Sequence, residues 1–467
     1  MATSATRETI KELARWVLSI DARRLSPAAL QQTKLLILDT LGCALAAGRE
    51  KAAKAAVDLV VSFGGASQST VIGTSTKTAI ANAVLANGVL ARYLDLNDFW
   101  IDRKEGSAPG IGGHPSDNIP VALAVAEARR RSGRDAIAAI VTGYEIYDRL
   151  RKITAPGLPW DRSTVSGLVA AAMAGRLLDL DETRMAHGLA LGAARTVTPG
   201  IVRQGTVSAS KFLANALVAQ SGVLGALMAE KDLTGPLAIL DHEKGLSSLY
   251  RGQDASPLIE PVTGEFAILN ANMKAYPCLA TGQAIVAAGC EIHRRLKDSL
   301  EAIETVEVAM AVNPFLQGQQ ADPALKNPTT RESADHSFFF LAAVGIIDGS
   351  LTPQSFDGER WMDSRVRNIM GKIVMSADAT LNAKAPDGYP CSITVKTRDG
   401  RQHKAEIAYT PGYSQGGGIK ASDVHTKFDA ITERVLTASR RDALKAAVGS
   451  FEDLPSIDEV MRLAGSG

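Results

Sequence analysis

Cysteine is scarce in this sequence: the chain has only four, at positions 43, 278, 290 and 391, and no two of them form a Cys-x-x-Cys pair. This spacing fits neither a disulfide framework nor a structural zinc site, and it predicts a cytoplasmic protein. An excess of one charge is missing too, because 51 lysines and arginines balance 50 aspartates and glutamates and leave a formal net charge of +1. We therefore expect no nucleic-acid partner, and small-molecule chemistry becomes the default function.

Signals for membrane insertion or secretion are not expected either. The N-terminal segment "MATSATRETIKELARWV" has a polar start that enters an amphipathic helix, which is unlike a signal peptide. No apolar stretch is expected to reach the length of a membrane span. We therefore expect no membrane partner.

Apolar residues are abundant instead, at 46% of the 467 residues, which is ample for a large core. Between about residues 26 and 250, alanine- and glycine-rich runs have helical spacing. From about residue 265 the pattern changes to alternating β-branched residues, and Asp399-Gly400 between two such runs predicts a β-hairpin. After a glycine-rich loop, Ser422 or Asp423 is expected to cap a further helix, and the tail is helical again.

These patterns predict a mainly α fold with two domains. A large all-helical domain is expected over residues 1–265, completed by residues 406–467. A smaller α+β lid domain is expected as an insertion over residues 266–405. Because clefts form where domains meet, a site is expected between them.

A histidine stands directly before a predicted helix in "GGHPSDNIPVALAVAEARRR". The Pro-Ser-Asp-Asn segment predicts a helix start near residue 118 or 119, which leaves His114 in the preceding loop, where its ring can face a cleft. For a single loop histidine, local packing or capping is the commoner explanation. Position alone therefore does not decide between packing and catalysis.

A cluster of polar residues in "YLDLNDFW" follows an apolar helical run. Asp95, Asn97 and Asp98 could orient a histidine, accept a proton or bind substrate hydroxyls, although a solvated helix end has the same pattern. No further ligands at metal-binding spacing accompany them, so no metal site is predicted.

Two lysines occupy informative positions. Ser208 is predicted to cap a helix, which places Lys211 in the first turn, where the positive end of the helix dipole disfavours a protonated amine. Lys211 could therefore transfer a proton or bind an anion, or its ammonium could simply reach water. Lys274 and Tyr276 precede a proline on an extended segment, where the lysine could clamp a carboxylate. Cys278 is interpreted as a buried structural cysteine.

Asp161 stands before a long apolar helix in "GLPWDRSTVSG", where Ser163 or Thr164 is expected to act as the cap. Asp161 could be an acid or base opposite His114, or equally a charge partner at the helix N-terminus.

Nine segments, in this order along the chain, resemble the MmgE/PrpD family: "LDTLGCALAAG", "YLDLND", "HPSDNIPVALAVAE", "YEIYDRL", "WDRST", "RQGTVSASK", "LTGP", "MKAYPC" and "YTPGY". The resemblance runs through nearly the whole chain. It implies a large helical domain with a smaller α+β lid, an active site between them, a homodimer, and no requirement for a metal or an organic cofactor.

Within this family the segments around Asp95, His114 and Asp161 most resemble the 2-methylcitrate dehydratase branch. The segment "MKAYPCLATGQ" instead resembles the cis-aconitate decarboxylase and iminodisuccinate epimerase branches, although Leu279 and Gln283 stand where those branches have histidines.

The resemblance implies that Asp95, His114, Lys211 and Lys274 belong to the active site, whereas the residue type at Asp161 varies within the family. The expected catalytic residues are Asp95, His114, Asp161, Lys211 and Lys274, and the expected substrate-binding residues are Asn97, Ser116, Arg203, Ser208 and Tyr276. His114 is expected to exchange a proton or to protonate a leaving hydroxyl, with Asp95 orienting it. Fixed lysines would stabilise the negative charge that builds up on the substrate carboxylate.

The expected function is therefore a cofactor-independent lyase for a small di- or tricarboxylic acid, similar to the 2-methylcitrate hydro-lyases. A decarboxylase or an epimerase with the same machinery is one alternative. A catalytically silent binding or scaffold protein is another.

Overall fold

The computed structural model of the protein describes residues 8–102, 110–154, 159–205, 207–248, 255–296 and 300–466. It is 60% helical with few strands, so the prediction of a mainly α fold is confirmed. The polar start predicted for residues 1–7 lies outside the described residues.

The first part of the chain is built from helices with small residues at their contacts. The helices are α1 (Thr9–Ser19), α2 (Pro27–Ala47), α3 (Lys51–Ser62), α4 (Ile80–Tyr93), α5 (Ile119–Ala128), α6 (Gly133–Ile153), α7 (Ser166–Leu177), α8 (Glu182–Ala193) and α9 (Ser210–Glu230). Ser26 caps α2, and Ser132 with Asp135 forms a capping box at α6. A Cβ at Gly222 would lie only 2.3 Å from the Gly167 carbonyl oxygen, so this glycine allows α9 to approach α7 closely.

Helix α9 corrects one expectation. By length and composition it is long and apolar enough to cross a membrane, so the expectation that no stretch reaches this length is wrong. In the structure it packs against α4, α7 and α8, and 61% of its apolar window is buried. A helix that is apolar on most sides and covered in this way has the environment of a core helix.

Two short ribbons lie among these helices. They are β1 (Ser69–Thr70) with β2 (Lys77–Thr78), and β3 (Trp100–Asp102) with β4 (Gly110–Gly113). The strands of both ribbons are antiparallel. The second ribbon positions the site, because β4 ends directly before His114.

A four-stranded sheet forms the centre of the second part. Its strands are β5 (Ile303–Met310), β6 (Ile373–Ala377), β7 (Cys391–Thr397) and β8 (Gln402–Ile407), in the order β6-β5-β7-β8. β5 and β6 are parallel, and the other pairs are antiparallel. The predicted hairpin is confirmed between β7 and β8, where Gly400 has a φ of +83° that its turn requires.

Helices surround this sheet and complete the chain. They are α10 (Gln283–Leu296), α11 (Pro314–Ala321), α12 (Pro323–Lys326), α13 (Arg331–Ala334), α14 (Phe338–Asp348), α15 (Ser364–Met370), α16 (Ala379–Asn382), α17 (Ala421–Thr432), α18 (Ala438–Gly449) and α19 (Asp458–Ala464). The predicted cap of α17 is wrong, because the N-cap is Lys420 and no side chain caps the helix. Ser422 and Asp423 lie inside its first turn instead.

Buried apolar side chains form two large clusters. The first runs from α1 to Met273 and includes α17–α19, and the second combines the sheet with α10 and α14 between Cys278 and Ala405. A small third cluster combines side chains from both segments: Phe99, Ile101, Ala280 and Tyr413. The division into a helical domain and a lid over residues 266–405 stays a prediction.

Candidate active site

A cavity of about 790 Å³ collects side chains from distant parts of the chain. The ionisable residues on its wall include Asp95, His114, Asp161, Arg203, Lys274 and His336. Apolar side chains such as Leu279 and Phe315 complete the wall. A concave site with a few converging polar groups is the usual form of a small-molecule site.

Asp95 occupies a strained position at the end of α4. The helix ends at Tyr93, and Asp95 follows with a φ of +50°, a left-handed conformation that residues other than glycine rarely adopt. Residues held in such conformations cluster at functional sites, because the surrounding structure must stabilise them. The last turn of α4 supplies Arg92, whose Nη1 donates a hydrogen bond of 2.5 Å to Asp95 Oδ1.

Three cations share the buried Asp95 carboxylate. Besides Arg92, Lys211 Nζ lies 3.1 Å from Oδ2, and Lys274 Nζ donates to Oδ1 and, at 2.9 Å, to the Asp95 main-chain carbonyl. Burial would raise the pKa of Asp95, but the three cations outweigh it and hold that pKa well below its usual range. Asp95 is therefore ionised, and three cations surround it.

Lys211 reaches Asp95 from the first turn of α9, as predicted, but the predicted cap is wrong. Ala209 is the N-cap residue and no side chain caps the helix. Lys211 Nζ donates hydrogen bonds of 2.8 Å to both oxygens of Asp335. Lys211 is not among the described residues that line the cavity. It lies behind Asp95 and Asp335 and joins the two carboxylates.

Lys274 lines the cavity and is completely buried. Burial lowers its pKa to about 8, although Asp95 favours the ammonium form. The Lys274 side chain is therefore mostly protonated at pH 7, and it loses its proton when the pH rises to about 8.

The segment after Lys274 is fixed by Gln283. Its Oε1 accepts hydrogen bonds from the Ala275 and Tyr276 amides at 2.9 and 3.0 Å, and its Nε2 donates to the Tyr276 carbonyl at 2.9 Å. Burial raises the pKa of Cys278 well above its usual value, which agrees with the interpretation of a structural cysteine. Gln283 therefore has a structural role.

His114 lies in the segment between β4 and α5, as predicted, and α5 begins at Ile119 after one 3-10 turn. The expected capping is wrong, because Asn118 makes no side-chain cap. His114 Nδ1 lies 2.5 Å from the Asp98 carbonyl oxygen, and Arg92 Nη2 lies 3.0 Å from Nε2. A guanidinium only donates, so Nε2 accepts and Nδ1 carries the proton.

The charge state of His114 follows from these neighbours. Burial and then Arg92 lower its pKa well below the usual value, so the ring is neutral at pH 7. Asp95 Oδ1 lies 4.0 Å from Nε2, beyond hydrogen-bond distance. The orienting role expected for Asp95 therefore falls to Arg92 and to the Asp98 carbonyl.

Asp98 belongs to the predicted acidic cluster but faces away from the ring. Its Oδ1 accepts hydrogen bonds from the Ser116 amide and hydroxyl at 3.1 and 2.6 Å, and its Oδ2 accepts one of 2.7 Å from the Tyr144 hydroxyl. Burial outweighs these bonds and raises the pKa of Asp98 to about 7. The Asp98 side chain therefore fixes the segment that carries His114.

A second histidine, His336, is not among the residues predicted from the sequence. It lines the cavity, its Nδ1 lies 2.5 Å from Asp335 Oδ1, and its Nε2 lies 3.8 Å from Asp95 Oδ2. Burial and Lys211 lower its pKa, so this ring is also neutral at pH 7. The available signal was local: His336 directly precedes Ser337, which caps the apolar helix α14, much as His114 precedes α5.

Asp161 pairs with Arg203 on another part of the wall. Arg203 Nε and Nη2 lie 2.8 and 3.2 Å from the two carboxylate oxygens, and the Ser163 amide donates a third hydrogen bond of 3.0 Å. Arg203 and these hydrogen bonds overcome the effect of burial and lower the pKa of Asp161. The expected cap at Ser163 or Thr164 is wrong, because Asp161 itself caps the 3-10 turn before α7.

The other predicted substrate-binding residues are not among the described residues that line the cavity. Asn97 donates to Ser116 and Asp117 at 2.9 and 2.7 Å within the buried turn. Ser208 is exposed, and Tyr276 packs against the second apolar cluster. Direct substrate contact by these side chains stays a prediction.

The carboxylates near Lys211 have one feature of a metal site. One ligand atom each of Asp95, Asp335 and His336 lies within 4.8 Å of the others. However, Lys211 Nζ lies 3.1 Å from Asp95 and 2.8 Å from Asp335, so an ammonium group stands where a cation would bind. This arrangement fits an ion-pair network better than a metal-ligand set.

The fold and the cavity define a class: a mainly α protein in which paired carboxylates, cations and neutral histidines face a pocket suited to a small anion. Comparison with known proteins gives the family. Residues 11–257 match the MmgE/PrpD N-terminal domain, and residues 276–453 match the MmgE/PrpD C-terminal domain. The chain therefore belongs to the MmgE/PrpD family.

Several curated relatives cover most of the chain. Human cis-aconitate decarboxylase is 24% identical over 92% of this chain and 89% of its own length. The mitochondrial 2-methylcitrate dehydratase of Yarrowia lipolytica is 24% identical over 92% and 86%, and the Salmonella typhimurium 2-methylcitrate dehydratase is 23% identical over 84% and 83%. These names support an enzyme function at the level of the family. The cytoplasmic location and the homodimer stay predictions.

Proposed function

We propose that this protein is a lyase for a small di- or tricarboxylic acid, a hydro-lyase of the 2-methylcitrate dehydratase type. One observation carries the proposal: a buried carboxylate, Asp95, is shared by three cations beside two neutral histidines on the wall of one cavity. This arrangement supplies the base, the acid and the positive charge that elimination next to a carboxylate requires.

His336 is suited to act as the base. Asp335 Oδ1 lies 2.5 Å from Nδ1, closer than Lys211 Nζ at 3.2 Å, and this carboxylate favours the tautomer in which Nδ1 carries the proton and Nε2 has a free lone pair. Within the described residues, no hydrogen-bond partner lies at Nε2, and Asp95 Oδ2 is 3.8 Å away. Nε2 removes the proton from the carbon next to the carboxylate, and the C–H electron pair becomes part of the new double bond.

Lys274 and Arg92 are suited to stabilise the negative charge that develops as the substrate loses its proton. Negative charge grows on the substrate carboxylate as the proton leaves, and these fixed cations lower its energy. Lys274, with a pKa of about 8, donates a proton to the departing hydroxyl while the C–O bond breaks, and water leaves. The base gains one proton and the acid loses one, so the reaction is balanced.

His114 is the second proton-transfer candidate. Its Nε2 lone pair is occupied by Arg92 in this structure. A substrate carboxylate that binds Arg92 would release Nε2 to exchange a proton with the substrate.

Decarboxylation is the second candidate function. The human relative that covers 92% of this chain is named a cis-aconitate decarboxylase. Loss of carbon dioxide also produces a carbanion that the same cations would stabilise, so the cluster supports either reaction.

The experiment is a substrate screen with mass-spectrometric detection. The protein is incubated with 2-methylcitrate, citrate, cis-aconitate and iminodisuccinate. Loss of water supports the proposal, loss of carbon dioxide makes the protein a decarboxylase, and inversion without a change of mass makes it an epimerase. Asp95→Asn is expected to abolish turnover, whereas Asp58→Asn, at an exposed pair with Lys54, is expected to retain it. No turnover of any of these acids by folded protein overturns the proposal.

A further inference from the structure

Arg162 is a cation on the cavity wall that has no carboxylate partner among the residues that the structure describes. Its side chain lines the cavity and is exposed. Across the described residues, no carboxylate lies within ion-pair distance of its guanidinium. Other arginines around the cavity behave differently, because Arg92 and Arg203 both bind an aspartate.

The backbone holds Arg162 in a fixed place. Asp161 caps the 3-10 turn that begins at Arg162, and an isolated β-bridge joins Trp160 to Pro199. The Arg162 Cβ lies 3.4 Å from the point that a Cβ at Gly113 would occupy. Arg162 is therefore next to the segment that presents His114, on the wall of the same cavity.

The two aspartates nearest to Arg162 are already neutralised. Asp161 binds Arg203 through two contacts of 2.8 and 3.2 Å, and Asp102 binds Arg151 at 2.7 Å. Among the described residues, Arg151, Arg162 and Arg203 therefore face only Asp102 and Asp161 in these ion pairs, and Arg162 is the guanidinium that neither carboxylate binds.

The surroundings of Arg162 also favour a bound anion. Although part of the Arg162 side chain is open to the cavity, the loss of hydration against the cavity wall and the nearby Arg151 lower its pKa, and they outweigh Asp102, Tyr147 and Asp161. Its positive charge is therefore poorly compensated. Tyr147 supplies no full negative charge here, because burial raises its pKa and its neutral hydroxyl donates to the Gly112 carbonyl at 2.9 Å. A carboxylate placed here would relieve both unfavourable effects.

We propose that Arg162 is a specificity-determining residue that binds a substrate carboxylate remote from the reacting carbon. The cluster around Asp95 binds the carboxylate next to the departing proton, and Arg162 selects acids with a further carboxylate-bearing arm. A guanidinium suits this task because it offers two parallel N–H donors to one carboxylate. The inference rests on the proposed function, since it names the part of the substrate that Arg162 recognises.

The test compares Arg162→Gln with wild-type protein on two substrates. One is the polycarboxylate that the wild type converts best, and the other is its analogue with the remote carboxylate replaced by a primary amide. Arg162→Gln is expected to lower kcat/KM for the parent acid by about 10- to 100-fold, mainly through KM, because one charge-assisted contact is lost. On the amide the variant and the wild type are expected to be within about twofold, because the contact is already missing.

Two further variants sharpen the test. Arg162→Lys is expected to recover part of the loss, because it restores the charge without the bidentate geometry. Arg398→Gln, at an exposed arginine near the β7–β8 turn, is expected to leave kcat/KM unchanged. An equal loss on the acid and on the amide, or no loss on either, overturns the role of Arg162.

A binding measurement separates this inference from the proposed function. Propane-1,2,3-tricarboxylate lacks the hydroxyl that would leave, and its affinity is measured by calorimetry for wild type and Arg162→Gln. Weaker binding by about tenfold or more supports the inference even if the protein dehydrates no acid. Equal binding overturns it even if the protein proves to be a dehydratase.

Discussion

Asp95 and Asp39 are both buried aspartates that contact a buried lysine, yet the two regions shift their pKa values in opposite directions. Asp39 on α2 lies 2.6 Å from Lys427 Nζ, and burial raises its pKa despite that lysine. Asp95 is equally buried, but Arg92, Lys211 and Lys274 hold its pKa well below the usual range. One cation is insufficient to overcome the loss of hydration, whereas three are sufficient.

The opposite pKa shifts of Asp95 and Asp39 show how a buried ion pair in a functional site differs from one that only supports the fold. Asp95 lines the cavity in a left-handed conformation with three cations around it, while Asp39 is not among the described lining residues. Lys427 also donates a 2.7 Å hydrogen bond to the Leu96 carbonyl, next to Asp95. The Asp39–Lys427 pair therefore supports the turn that the Asp95 cluster uses. We expect changes in the first region to alter activity and changes in the second to alter stability.

Among changes to the cations and histidines around Asp95, the largest effect is expected from Lys274→Met. This variant removes the cation that faces the substrate, and kcat is expected to fall by about 10³-fold. Steady-state kinetics on the substrate found in the screen provides the measurement. Lys54→Met, on the exposed face of α3, is the matched control and is expected to retain full activity. If Lys274→Met kept more than about a tenth of the wild-type rate, Lys274 would have no direct part in the reaction.

Lys427→Met is expected to affect stability instead. It leaves Asp39 buried without a partner, and the free energy of unfolding is expected to fall by about 3–5 kcal/mol in urea titrations. The double variant Asp39→Leu with Lys427→Met is expected to recover most of that loss, because no unpaired charge remains. A loss of kcat like that of Lys274→Met, without a loss of stability, would contradict the distinction between the two regions.

A smaller effect is expected from the two histidines of the Asp95 region. His336→Gln removes the base and is expected to lower kcat by about 10²-fold. His114→Gln is expected to lower it by about tenfold, since the ring is occupied by Arg92 in the ligand-free structure. Measuring kcat for both variants under the same conditions shows which histidine contributes more to proton transfer. The reverse order would make His114 the principal proton-transfer group.

The smallest effect is expected in the pH dependence of kcat/KM. The Lys274 ammonium, with a pKa of about 8, is present below that pH and is lost above it, so the rate is expected to decline on the alkaline side near pH 8. His336 must be neutral, and its lowered pKa places the acidic decline below its usual value of 6.5. In Lys274→Arg the rate is expected to fall, because a guanidinium does not donate its proton near pH 8, and the residual activity is expected to show no alkaline decline. An unchanged alkaline limb would assign it to another group.

Much of the local structure was predictable, because it depends on residues a few positions apart. Small-residue runs with helical spacing predicted the helices, and Asp399-Gly400 predicted the hairpin between β7 and β8. The proposed caps were less reliable: Ser208 and Ser422 do not cap α9 and α17. Capping depends on where the first turn begins, and a shift of one or two residues changes which side chain can reach it.

The candidate site was predictable only in part. Asp95, His114, Asp161 and Lys274 do line one cavity, as a shared site requires. Arg92 stayed unnoticed inside the apolar pattern of α4. A charged residue within a helical run is usually interpreted as part of a solvated face, and only packing shows that Arg92 is buried against Asp95.

By itself, the sequence determined the mainly α fold and the placement of His114 before α5 and of Lys211 in the first turn of α9, because periodicity and chain stiffness act over short distances. Tertiary structure alone decided that Asp335 and His336 meet Lys211 and Asp95, residues separated by more than a hundred positions. These groups belong to different packed segments, and their contact depends on how two apolar clusters bury their surfaces against one another. The electrostatics of the site follow from that contact, since the same aspartate without its three cations would have a raised pKa, as Asp39 has.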